Sequence, residues 1–277
     1  MNNLTLKDVF LSREEEKLED ISFELAEGDS LAIVGETVSC RSLLVETVAG
    51  IREADSGTLT MFDVAISEAT KQALGYVFNG FPLSGSLTLE DVDRVFSSIY
   101  ERWNSSMFYG CCHKFAIQKK KPIKELSPIM QRKLMLSIAV SHATRLLVLN
   151  DVFSSIDGGI DDEAEDVLKE FMKKNPLRSM VIAAPDISSV NDLVKRYILL
   201  KDGGIALSFS KDELLNNLCL VECSMNDKAV TEAARYLFKK KDSNYVTALI
   251  DSNAVDGGYT KSSANLADID KLFGGIR

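Results

Sequence analysis

Three short runs with no polar residue inside them constrain this chain more than anything else: Leu31-Ala32-Ile33-Val34, Leu146-Leu147-Val148-Leu149 and Met180-Val181-Ile182-Ala183-Ala184. A strand with one wet face alternates apolar and polar residues, so an unbroken apolar run predicts a strand covered on both faces. Segments with apolar residues spaced by three and four lie between the runs and predict helices. Strands alternating with helices imply a parallel sheet wrapped by helices, an α/β fold.

The flanking segments fill in the organisation. Leu4, Leu6 and Val9, then Ile21, Phe23 and Leu25, alternate as antiparallel strands joined by an exposed hairpin at Arg13-Glu14-Glu15-Glu16-Lys17. Strand signals follow over Gly57–Phe62 and Leu74–Phe78. From Thr88 to about Ala143 the spacing turns helical, as an inserted lobe of about residues 88–143. Within it Ser127-Pro128 starts a helix expected to reach about His142, because Ser caps free amides and Pro fits the first helical position. A helix is predicted over Asp161–Lys174. Beyond about residue 215 the pattern predicts a strand Leu218–Cys223, a helix Lys228–Lys240, a strand Tyr245–Ile250 and a helix Leu266–Phe273. Gly257-Gly258 and Ser262-Ser263 mark a loop before the last of these. The expected domains are residues 1–215 and a small α/β appendage, 216–277.

Composition excludes several classes of function. Among 277 residues, 45% are hydrophobic and 26% charged, the mixture of a globular chain with a sizeable core. A net charge of −9 excludes nucleic acid as an expected partner, since such affinity rests on Lys and Arg neutralising phosphates. Five cysteines, Cys40, Cys111, Cys112, Cys219 and Cys223, with no signal-peptide pattern, predict a reducing cytosol. No C-x2-C pair accompanies Cys111-Cys112-His113, so no zinc site is expected. No apolar run approaches the roughly 18 to 20 residues that cross a bilayer, so a role at a membrane requires another chain to supply the span.

The first apolar run leads into GETVSCRS, Gly35 to Ser42, and then into the periodic stretch Leu43–Ile51, which ends at the C′ candidate Gly50. Strand, tight loop, then helix with a cation and a hydroxyl in its first turn is the layout of a phosphate-binding loop. Successive backbone N–H groups point into one concavity, the cation reaches the terminal phosphates and the hydroxyl ligates magnesium. The helix is expected from Arg41, with residues 35–40 as loop. The second run ends in Asn150-Asp151, where a metal-directed acid and a catalytic acid would stand.

With these landmarks in order, residues 2–215 resemble the nucleotide-binding subunit of an ATP-binding-cassette (ABC) transporter. The fold implied is P-loop NTPase-like, with an antiparallel β subdomain and a helical lobe. On that resemblance Gly35, Glu36, Thr37, Val38, Ser39, Cys40, Arg41 and Ser42 fall on the Walker A loop, and Asn79 falls on the Q-loop glutamine. Leu126, Ser127, Pro128, Ile129 and Met130 fall on the signature motif, Asn150-Asp151 on Walker B, Asp157 on the D-loop and Pro185-Asp186 on the switch-histidine region. The cofactors implied are ATP and Mg, the metal held through Ser42 and Asn150. The partners implied are an integral membrane transporter subunit and a second ABC ATPase subunit in a homodimer or heterodimer. The chain would then be cytoplasmic and peripheral at the inner face of the cell membrane.

The departures from the family pattern decide the chemistry expected. The family loop runs GxxGxGK[ST]; Val38 and Cys40 occupy its later glycine positions and Arg41 its lysine, a bulkier planar fork. Asn150 lacks the negative charge of the Walker B aspartate. Asp151 is one methylene shorter than the usual glutamate, and a positioned proton acceptor is commonly worth about 10²- to 10⁴-fold. Shifting the register to make Asp151 the metal-directed acid leaves Val152 as the base and misplaces Asp157. Pro185 offers no ring donor and no backbone N–H. Pro128 and Ile129 replace signature glycines. No aromatic stands at Ser12 or Arg13 to stack on adenine, although Phe10 is close. The resemblance thus implies a cassette subunit in which ATP binding is open and hydrolysis is weak or lost, a pseudo-ATPase with Asp151 as its one catalytic candidate. The alternative is a non-catalytic regulatory or scaffold protein on the same fold. An active soluble ATPase or kinase would need an intact lysine and acid set.

Overall fold

The computed structural model describes residues 1–13, 16–35, 37–152, 161–239, 244–255 and 258–274. Glu14, Glu15, Glu36, Asp157, Lys240 and Gly257, named above, lie outside the described residues.

The chain begins with β1 (Asn2–Arg13) and β2 (Glu16–Ala26), the expected antiparallel pair. Then come β3 (Ser30–Gly35), α1 (Val38–Val48), β4 (Ser56–Met61), β5 (Val64–Ala65), α2 (Glu68–Lys71) and β6 (Leu74–Val77). The lobe holds α3 (Leu89–Ile99), α4 (Ser105–Lys114) and α5 (Pro128–Val140). The chain returns through β7 (Leu146–Leu149), α6 (Asp162–Lys174), β8 (Ser179–Ala184), β9 (Arg196–Lys201) and β10 (Gly204–Ser210). It continues through α7 (Lys211–Asn217), β11 (Leu218–Ser224), α8 (Lys228–Ala233), β12 (Ala234–Lys239), β13 (Tyr245–Asp251), β14 (Lys261–Ser263) and α9 (Leu266–Gly274).

The three apolar runs are β3, β7 and β8, and every residue of all three strands is buried. They form the middle of a six-stranded sheet ordered β10-β9-β3-β8-β7-β6. All its pairs are parallel except the β9–β10 hairpin at one edge. One buried cluster lies between this sheet and the β2-β1-β4-β5 sheet with α1, built from residues such as Leu6, Ile33, Leu44 and Val181. The other lies on the opposite face, joining Val34, Leu149 and Ile182 to Phe108 and Leu134 of the lobe. Parallel strands deliver their C-terminal ends to one edge, where α/β sheets place their ligands. Gly35 ends β3 at that edge, and Asn79, Asn150, Asp151 and Pro185 follow strands there.

The appendage differs from expectation in two places. The helix expected over Lys228–Lys240 stops at Ala233, and the chain continues as β12 paired antiparallel with β13. Val230, Ala233 and Leu237 fit a helical spacing, but Tyr236 and Phe238 alternate, and pairing with β13 leaves Phe238 2% exposed. The Ser262-Ser263 loop is part of β14, an edge strand on β11. The boundary expected at 215–216 falls inside α7. One face of the β12-β13-β11-β14 sheet continues the lobe-side core through Leu218, Leu220, Phe238 and Leu249, and its other face closes over Val221, Val230 and Ala248.

Candidate functional site

The loop after β3 is shorter than its sequence suggests. Helix α1 begins at Val38 rather than Arg41, because Thr37 is an effective N-cap: its backbone is extended, and its Oγ1 accepts the Cys40 amide at 3.1 Å. Glycines at 38 and 40 would let this segment adopt an open nest of amides. Valine and cysteine carry a Cβ and follow the cap into an ordinary helical turn. Arg41 N already bonds Thr37 O at 3.3 Å. The turn that should cradle phosphate is wound into helix.

An acid of the chain itself lies against that helix end. Glu16, at the start of β2, accepts a short hydrogen bond from Ser39 Oγ and a longer one, 3.4 Å, from Thr37 Oγ1. A carboxylate at a helix N-terminus takes the position in which an anionic ligand is favoured. The acidic run Arg13–Lys17 signals a hairpin in the sequence, and nothing in it tells that Glu16 would reach this loop.

Arg41 turns inward. Its Nη2 lies 2.7 Å from Asp151 Oδ1, its Nε 3.2 and 3.1 Å from the two carboxylate oxygens, and its Nη1 donates to Gly35 O at 2.5 Å. Arg41 is 2% and Asp151 1% exposed. The fork engages the carboxylate side-on, a bidentate pairing that a lysine cannot make. Gly35 makes room for it: a Cβ there would sit 3.4 Å from Arg41 Cγ and 3.0 Å from Leu200 Cβ. Asp151 adopts a left-handed backbone, φ 48°, which aspartate tolerates better than most residues.

The metal-ligating candidates are also bonded to each other. Ser42 Oγ donates to Asn150 Oδ1 at 2.8 Å, and Asn150 Nδ2 donates to the Tyr76 hydroxyl at 2.9 Å. Burial raises the Tyr76 phenol above its ordinary range, so it stays protonated. Tyr76, on β6, is a site residue that sequence reasoning passed over as part of a strand.

The remaining landmarks fall at or near the same edge. Asn79 is exposed just beyond β6. On the lobe, Leu126 is buried, Ser127 and Pro128 are exposed, and Ser127 Oγ accepts the Met130 amide at 3.4 Å, so Ser127 caps α5 with Pro128 and Ile129 in its first turn. The expected helix start is confirmed; its end is Val140 rather than about His142. After β8 and Pro185, Asp270 of α9 accepts the amides of Ile187 at 3.0 Å and Ser188 at 3.1 Å, and the Ser188 hydroxyl as well. Arg13, near the adenine-stacking position, holds the Asp55 carboxylate at 2.8 and 3.1 Å.

The groups that would engage a magnesium-bound triphosphate are bonded to one another in this arrangement. The cation's fork and main donors are spent on Asp151 and Gly35, Glu16 stands at the helix end, and the Ser42 hydroxyl donates to Asn150.

The fold agrees with the comparisons. The family model described as ABC transporter matches residues 18–154. That segment belongs to the ABC transporter family. Among its relatives, the ribose import ATP-binding protein RbsA of Halalkalibacterium halodurans is 23% identical over 235 residues, covering 78% of this cassette and 47% of that protein. The energy-coupling factor transporter ATP-binding protein EcfA1 of Oenococcus oeni is 26% identical over 218 residues, 72% of this cassette and 77% of that protein. The cassette thus spans about half the length of the first relative and about three quarters of the second. A solved ATP-binding subunit of an ABC transporter has the same fold, with a TM-score of 0.66 at 16% identity over 76% of this cassette and 91% of that chain.

Proposed function

We propose that this chain is a cassette subunit of a membrane transport complex whose nucleotide site is closed by its own side chains, so that it binds Mg-ATP weakly and does not turn it over. The observation that carries the reading is the buried Arg41–Asp151 pair. Arg41 would supply charge to the terminal phosphate and Asp151 would position water. In this pair each neutralises the other. Asn150 and Ser42 likewise satisfy one another, and Pro185 presents no donor where the family carries a histidine.

No helix among the described residues is long and apolar enough to cross a membrane, so the proposed partners include an integral membrane subunit. Two relatives are named as import or transporter ATP-binding proteins, and one solved relative in fold is a dimeric cassette, which supports a second ATPase subunit as the other partner. The alternative, a regulatory or scaffold role on the cassette fold, is favoured by the same closed site.

Calorimetric titration of the purified chain with Mg-ATP tests the closed site, with weak or undetectable heat expected; saturable binding at low micromolar concentration would overturn it. Phosphate release at the level of protein-free buffer is expected. Co-purification with an integral membrane protein from native membranes supports transport, and a native complex lacking one favours the scaffold.

A further inference from the structure

At the edge of the parallel sheet away from Gly35–Ser42, just before the starts of β6, β7 and β8, a cleft of about 370 Å³ is lined by Arg102, Arg145 and Arg178, with Glu101 the one carboxylate among its lining residues. Such a gathering of guanidinium groups is conspicuous in a chain of net charge −9. Arg145 has a counter-ion: its Nη2 donates to Glu27 Oε1 at 2.9 Å and to Asn3 Oδ1 at 3.1 Å. Arg178 has no carboxylate partner among the described residues. Its Nη1 donates to Phe171 O at 2.9 Å, closing the C-terminal turn of α6, and its guanidinium carbon lies 4.4 Å from the Phe171 ring centroid. Capping a helix end accounts for one nitrogen of the fork.

The rest of that fork has no hydrogen-bond partner among the described residues. The buried side-chain nitrogen and oxygen atoms without a hydrogen-bond partner among the described residues are two, Arg145 Nε and Arg178 Nε, and both belong to walls of this cleft. Buried donors are nearly always satisfied, and buried charges are paired. Burial lowers the pKa of Arg178 from the ordinary arginine value, which reports a desolvated cation short of negative charge.

We propose that this cleft binds a phosphate group, free or as a small phosphate ester, held by Arg178 with Arg102 and Arg145 around it. Guanidinium forks match both carboxylate and phosphate, but several forks around one ligand require more acceptor oxygens than the two of a carboxylate. The cleft leaves room beside the phosphate for an attached group. Because Nε is sealed in the free chain, the Arg178 side chain must swing slightly toward the ligand to present its Nε–Nη2 edge.

The test is an NMR titration of the full chain with inorganic phosphate, glycerol 3-phosphate and, at matched ionic strength, acetate. Saturable shifts are expected at amides near Arg102, Arg145 and Arg178 for both phosphates, with tighter binding of glycerol 3-phosphate marking an ester ligand and equal binding marking free phosphate. Arg178→Gln should weaken binding about tenfold or more, and the exposed Arg102→Gln, which leaves folding intact, a few-fold. Shifts that stay linear to about 50 mM, shifts centred on residues 37–42, equal binding of acetate, or undiminished affinity in both variants would overturn the proposal.

Discussion

Arg41 and Asp151, 110 positions apart in sequence, meet side-on behind the loop of an ABC cassette with their charged atoms 2.7 Å apart and both side chains almost wholly out of water. Removing either partner breaks a buried ion pair, which typically costs about 3–5 kcal/mol. Arg41→Met and Asp151→Leu should each lower the free energy of urea unfolding by that order. The double variant should lose far less than the sum. Additive losses would show that the pair contributes nothing as a pair.

Glu16 stands where a phosphate would be drawn to the helix end. Glu16→Gln keeps its shape and its bond to Ser39 while removing the charge, and should raise the affinity for Mg-pyrophosphate on the order of tenfold, the effect expected of one nearby like charge in a wet cleft. Calorimetry compares the two proteins directly; unchanged heats would remove Glu16 from the account.

Reopening the loop requires unwinding a turn. The triple variant Val38→Gly, Cys40→Gly, Arg41→Lys should start α1 later, because each helical glycine costs about 1 kcal/mol relative to alanine, and should bind Mg-ATP more tightly than wild type. Hydrogen exchange at residues 38–41 reports the unwinding independently of the ligand. Protected amides together with unchanged affinity would count against the wound loop as the defect.

His142, just beyond α5, is 5% exposed and stacks on Tyr100 with ring centroids 3.9 Å apart. Burial pushes its pKa down to about 4, from an ordinary value near 6.5. In the unfolded chain it takes up a proton as pH falls through about 6.5, while the folded chain resists until about 4, so its contribution is complete above the first value and lost between the two. Wild type should therefore lose about 2–3 kcal/mol more than His142→Gln between pH 7 and pH 4. Parallel pH curves for the two proteins would show that the ring titrates normally.

What the sequence discloses follows from how local each determinant is. β3, β7 and β8 are legible because burial on both faces leaves an unbroken apolar run in each strand, and α5 is legible because Ser127 and Pro128 mark its start by themselves. The helical spacing after Lys228 misleads because the competing alternation, Tyr236 and Phe238, wins only through a partner strand. Arg41 reads as a replacement for a phosphate-reaching lysine, and its charge gives no sign that the fork turns back to Asp151. Glu16, Tyr76 and Asp270 are invisible as site residues for the same reason: each joins the site through a fold contact and not through a motif.

The grip of Asp270 on the turn after β8 also sets an order of assembly. The amides it receives, at Ile187 and Ser188, are made 83 and 82 residues before it. At typical synthesis rates this is an interval on the order of ten seconds. During that time the central strands can already pair while the amides after Pro185 lack the acceptor that α9 brings, so this edge of the sheet is completed last.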